Sequence, residues 1–132
     1  MSTQKLELPK MTHTFSINAK GKESQVHYIG DFTYVRPNLF KKIEISKMET
    51  RLSGDLKNLP DETKIVNGMI AQLFYCLTTY PDWWKDSNFG QNLYDLEILE
   101  AIWMECNNFE QEFHKKVYGD KSDKELKVEE IK

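Results

Sequence analysis

The sequence is poor in nearly everything that supports chemistry. It holds only two cysteines, Cys76 and Cys106, and both fall in helix-like segments. A disulfide framework needs more than that, so the pair reads as reduced thiols acting as small core hydrophobes. The three histidines, His13, His27 and His114, come without a Cys-x-x-Cys or His-x-x-x-His spacing, and no zinc ligand set is written in the chain. The six glycines are scattered, which excludes a phosphate-cradling loop, and no serine sits in a glycine-flanked elbow. No apolar run approaches the roughly 18 residues of a membrane span. Met1 to Met11 lacks the apolar centre of a secretory signal, so the expected location is the compartment of synthesis. Positive charge is also short: the net charge of −3 provides no global field toward nucleic acid or an anionic membrane.

What is present is enough for one core. The chain has 132 residues, 39% apolar and 12% aromatic, which suits a single domain and is too little for two. Carboxylates are plentiful but fall mainly on helix faces that should be solvated, so they do not mark an acid–base site. The expectation is a non-enzymatic protein without metal or cofactor that works by binding other proteins.

Residues 1–11 read as a flexible N-terminal arm. His13 to Asn18 alternates polar and apolar, the signature of a strand. Ala19 to Lys22 reads as a turn, with Gly21 free to take positive φ. Val26 and Tyr28, then Phe32 and Tyr34, form pairs on one face. Gly30-Asp31 between them suggests a bulge or a second tight turn. Residues 12–35 are therefore a hairpin or small meander that needs a helical cover.

Pro37 opens a helix over residues 38–53, stopped by Gly54. Its apolar residues spread around most of the circumference, so it sits between layers or keeps a face for a partner. A second helix is predicted over 60–80, opened by Pro60-Asp-Glu62 and ended by Pro81. Its apolar face runs from Ile65 to Tyr80, and Gly68, Ala71, Gln72, Tyr75 and Thr79 make the opposite side. A turn-rich segment with Trp83 and Trp84 follows. Asp95 is a good N-cap for a third helix over 95–118, with Ile98, Leu99, Ile102, Trp103, Cys106, Phe109, Phe113 and Val117 on one face. Residues 119–132 are nearly all charged and read as a flexible tail. The fold class is α+β, mostly helical, with a short N-terminal β hairpin packed on a three-helix layer, as one domain over 12–118.

Two features point outward. Arg36, Lys41, Lys42, Lys47 and Arg51 form a basic cluster in or near the first helix. Glu44 and Glu49 interleave with them, which makes a solvated face with i,i+3 and i,i+4 pairs rather than a nucleic-acid stripe. The adjacent Trp83 and Trp84, after Pro81, cannot both bury in one direction from an irregular segment. One is expected in the core and the other to serve as an aromatic anchor, because tryptophan is enriched at binding hot spots. The candidate partner-binding residues are Pro81, Trp83 and Trp84, with Ile45 and Tyr75 as apolar groups off the main core faces.

The order of segments resembles one family. A β segment ends in Asp31-Phe-Thr-Tyr-Val-Arg-Pro37, a mixed-charge helix runs from Lys41 to Gly54, and an apolar helix ends in Tyr80-Pro-Asp-Trp-Trp84. The last helix opens with Leu93-Tyr-Asp-Leu-Glu-Ile-Leu99 and closes on Phe109-Glu-Gln-Glu-Phe113. This is similar to the tail assembly chaperones of long-tailed bacteriophages over about residues 23–117. Members often show an arginine-proline lead-in to the first helix and a "Pro-Glu-Trp-Trp" type ending after the central one. The resemblance implies an α+β fold and a role in virion assembly. The implied partners are the tape measure protein, which such chaperones keep soluble, and the tail tube protein, whose subunits they help recruit; a second copy of the chain is a further candidate for the exposed tryptophan, apart from the resemblance. It also implies residence in the host cell cytoplasm during assembly and absence from the mature virion. A structural tail or neck subunit, or an adaptor unrelated to phage, are the alternatives that residue patterns alone leave open.

Overall fold

The computed structural model describes residues 10–54 and 58–119. Along the chain these form β1 (Thr12–Lys20), β2 (His27–Val35), α1 (Leu39–Ser53), α2 (Asp61–Cys76), β3 (Leu77–Thr79), α3 (Asp82–Asp86) and α4 (Leu96–Tyr118). The fold is α+β and mostly helical, with an antiparallel sheet in the order β1-β2-β3. Residues 1–9 of the expected arm and 120–132 of the expected tail lie outside the described residues. Met11 extends the hairpin, its carbonyl accepting the N–H of Arg36 at 2.9 Å.

The hairpin obeys its alternation. Phe15 faces Phe32, Ile17 faces Gly30 and Ala19 faces Tyr28 on the helix-covered side. Ser16 faces Asp31 and Asn18 faces Ile29 on the other. Side chains of this outer row satisfy one another: Ser16 Oγ donates to Asp31 at 2.6 Å, and Asn18 Oδ1 meets His27 Nε2 at 2.6 Å.

Two turn expectations need correction. The strand continues through Lys20, and the turn spans Gly21 to Val26, closed by the Gly21 N–H on Val26 O at 2.8 Å. Positive φ falls on Gln25 at 64°, not on Gly21. Gly21 is small for another reason: a Cβ there would run into the Asp95 carboxylate. Gly30-Asp31 makes neither bulge nor turn, since the ladder runs through both. Gly30 instead admits the ring of Pro81, whose Cγ lies 2.5 Å from where a Cβ would stand.

The helices start and stop by local chemistry. Asn38 Oδ1 accepts the Lys41 N–H at 2.9 Å, and Gly54 closes α1 at φ 62°. The second helix does not reach residue 80. It stops at Cys76, Leu77 turns extended, and Leu77–Thr79 pairs with Thr33 and Tyr34 of β2. Leu77 and Tyr80 fit the helical period, but Thr78 and Thr79 are β-branched, Pro81 holds the preceding residue away from helix, and β2 offers an open edge. The turn-rich segment likewise contains the short helix α3.

The expected faces of α2 are partly exchanged. Ile65 and Phe74 are exposed, while Ala71 is fully buried. The small side carrying Gly68 and Ala71 lets α1 approach: a Cβ on Gly68 would stand 3.6 Å from Glu49 Oε1 of α1. On α4 the expected stripe holds, with Ile98, Leu99, Ile102, Cys106 and Phe113 buried, but Val117 near its end is exposed. Cys76 and Cys106 are free and buried. Burial pushes the Cys76 thiol up to about 11 and raises that of Cys106 as well.

Candidate functional site

Pro81, Trp83 and Trp84 come together on the edge of β2. The short β3 covers only Thr33 and Tyr34, leaving the earlier part of that strand open. Pro81 packs on Gly30, and the Trp83 indole N–H donates to Ile29 O at 2.9 Å. The Trp83 ring meets Tyr28 edge-on at 4.9 Å and Phe32 at 5.7 Å. Trp84 is wholly enclosed, lies edge-on to Phe32 at 6.1 Å and meets the Trp83 ring edge-on at 6.4 Å. Both rings therefore pack on the same Phe32 rather than diverging: Trp84 is a core plug, and half-buried Trp83 guards a sheet edge. Trp84 therefore offers a partner no surface.

Ile45 is also placed differently from the expectation. It is 7% exposed and shares the inner face of α1 with Met48. The spread of apolar residues around this helix is real, but the sides are reversed. Ile45, Met48 and the half-buried Leu52 face the core, and Leu39, Phe40 and Ile43 face away from it at 77%, 68% and 57% exposure. At 100° per residue the two sets are centred on opposite sides of the helix. Lys47 beside the outer set pairs with Glu44 at 3.3 Å. Tyr75 is half-buried, edge-on to Phe74 at 5.0 Å, and lies apart from the Pro81–Trp84 group.

The arginine-proline lead-in to α1 is a structural tie. Arg36 Nε donates to Glu110 Oε1 at 2.6 Å, and its guanidinium lies 3.7 Å over the Phe113 ring. Tyr34 donates its hydroxyl to Glu110 Oε2 at 2.6 Å and accepts from Gln72 Nε2 at 2.8 Å. Burial, with donation to Glu110, pushes the Tyr34 phenol far above its ordinary range. A cleft of about 440 Å³ lined by Pro37, Lys42 and Trp103 opens beside this cluster.

Sequence patterns missed the role of Asp95. It occupies the N-cap position of α4 but makes no side-chain cap bond. Its buried carboxylate instead accepts from the N–H groups of Glu23 at 2.8 Å and Ser24 at 3.2 Å, from Ser24 Oγ, and from the Tyr28 hydroxyl at 3.3 Å. Glu97 accepts the Lys22 N–H at 2.8 Å. The bond from the Ser24 hydroxyl, ahead of the backbone bonds, outweighs desolvation and holds the Asp95 carboxyl below its ordinary value. The only sequence signal is an acid at a helix start, which cannot name a partner so distant in the chain.

Among the described residues no group of three or more His, Cys, Asp or Glu is placed to hold a metal ion. None of the described helices is long and apolar enough to cross a membrane. The chain matches no protein-family model, no curated protein and no solved structure. Leu39, Phe40 and Ile43 expose three apolar side chains on one side of α1, and this outer face is the candidate surface for a partner.

Proposed function

We propose that this protein is a phage tail assembly chaperone that holds apolar helical segments of a tape measure protein on the outer face of α1. One observation carries the reading: Leu39, Phe40 and Ile43 stand in solvent on the side of α1 opposite its core-facing residues. A long helical protein exposes apolar seams before a tube encloses it, and those seams aggregate. A small acidic protein covering them keeps the complex soluble, and many copies along one chain add avidity without tight single contacts. The identity of the partner, the recruitment of tail tube subunits, action in the host cytoplasm and absence from the finished particle come from the resemblance described above.

The test is co-expression with the long helical protein encoded by a gene adjoining that of this chain, the candidate tape measure protein. Wild type should keep that protein soluble and co-purify with it. The triple variant Leu39→Ser, Phe40→Ser, Ile43→Ser should stay folded, because it alters exposed positions, and should lose the partner to the pellet. A wild-type chain that fails to solubilise the partner refutes the function. A triple variant that still succeeds refutes the surface. Detection of the chain in purified particles by mass spectrometry would favour a structural tail or neck component instead.

A further inference from the structure

The two edges of the sheet are treated differently. The β2 side is closed by β3, by Pro81 on Gly30 and by the Trp83 indole on Ile29. β1 is the other edge, and its hydrogen-bonding phase is fixed at both ends. Gly21 bonds to Val26 and Arg36 to Met11, so the odd-numbered residues His13, Phe15, Ile17 and Ala19 direct their N–H and C=O groups at β2. Thr12, Thr14, Ser16, Asn18 and Lys20 direct theirs away from it. Among the described residues, nothing bonds to these outward backbone groups. The usual guards of an edge are missing too, since β1 has no proline, pairs without a register break, and carries a charge only at Lys20.

We propose that β1 is a self-association edge, pairing antiparallel with β1 of a second copy of this chain about a twofold axis at Ser16, so that one sheet runs through both molecules. This inference is independent of the proposed function. The strand itself selects the occupant and the register. Centring on Ser16 is the antiparallel arrangement that uses the whole of Thr12–Lys20. It sets Thr14 opposite Asn18 of the second copy and Thr12 opposite Lys20, so no like charges meet. On the covered face it sets Phe15 opposite Ile17 and His13 opposite Ala19. Both rows are then matched in kind, polar with polar outside and mainly apolar with apolar inside, which is the arrangement that stabilises cross-strand pairs. Every outward N–H and C=O gains a partner, and the even-numbered residues form the bonded pairs.

Light scattering coupled to size exclusion tests it on the full chain. Wild type should run at twice the 15.6 kDa of one chain. The double variant Thr14→Lys, Asn18→Lys would set lysines opposite each other across the axis and should be monomeric. The companion Thr14→Glu, Asn18→Lys sets unlike charges opposite and should remain dimeric. All these side chains lie on the solvent face, and circular dichroism should show each variant folded. Ser16→Cys should be joined in high yield by a short thiol-to-thiol cross-linker, because the axis places the two thiols opposite each other while Cys76 and Cys106 are buried. A wild-type monomer at the highest soluble concentration overturns the proposal. So does a dimer that survives the double-lysine change, or one in which the Ser16→Cys thiols do not join.

Discussion

The backbone N–H of Glu23 donates to Asp95 Oδ1 at 2.8 Å, joining the hairpin turn to the start of α4. Because the carboxyl is held below its ordinary value near 3.8, its stabilisation is complete above that value and is lost as pH falls through the lowered one. Asp95→Asn should melt well below wild type at neutral pH, and the gap should close in strong acid. Thermal melts across that range check this. A gap that does not change with pH would mean that the charge is not what holds the turn.

The tryptophans should separate by size of effect. Trp84→Ala should lose about 3–5 kcal/mol of unfolding free energy, the cost of emptying a fully buried aromatic site. Trp83→Phe keeps a ring over Tyr28 and Phe32 but removes the donor to Ile29, and should lose about 0.5–1.5 kcal/mol. Denaturant titration measures both. A Trp83→Phe chain as stable as wild type would show that the indole bond does not guard the edge.

Gly30→Ala should cost about 1–3 kcal/mol, since its methyl meets the Pro81 ring. Adding Pro81→Ala should recover much of that loss, because the second change removes the obstructing ring. Additive losses in the double mutant would place the strain elsewhere.

The native protein should be inert to thiol reagents at neutral pH. Both thiols are buried, and the Cys76 group, raised to about 11, holds almost no thiolate there. Both should react once denaturant unfolds the chain. Fast labelling of either in the folded protein would contradict this packing.

The parts of the fold that were legible in the sequence are those governed by local period. The run from Ile98 to Phe113 repeats at helical spacing for several turns, and the hairpin alternates residue by residue, so both could be read directly. The end of α2 could not, because Leu77 and Tyr80 satisfy a helix while Thr78 and Thr79 satisfy a strand, and the open edge of β2 decides between them. On α1 the pattern showed two apolar sides but carried no sign of which met the core, which is how Ile45 came to be assigned outward. Two adjacent tryptophans suggest diverging side chains, yet both rings pack on Phe32, and their places depend on a strand more than fifty residues earlier. Asp95 was hidden for the same reason.

The clasp between Asp95 and the hairpin turn also sets an order of events during translation. Among the described elements the hairpin leaves the ribosome first, but its turn waits for Asp95 at the start of α4, which is made last. Until then β1 lacks the α4 face it packs against, although α2 and α3 already bring Gln72 to Tyr34 and Trp84 to Phe32, and a small strand pair is marginal by itself. The clasp therefore closes late, and a nascent chain halted before Asp95 carries an unfinished sheet that a neighbouring chain could capture.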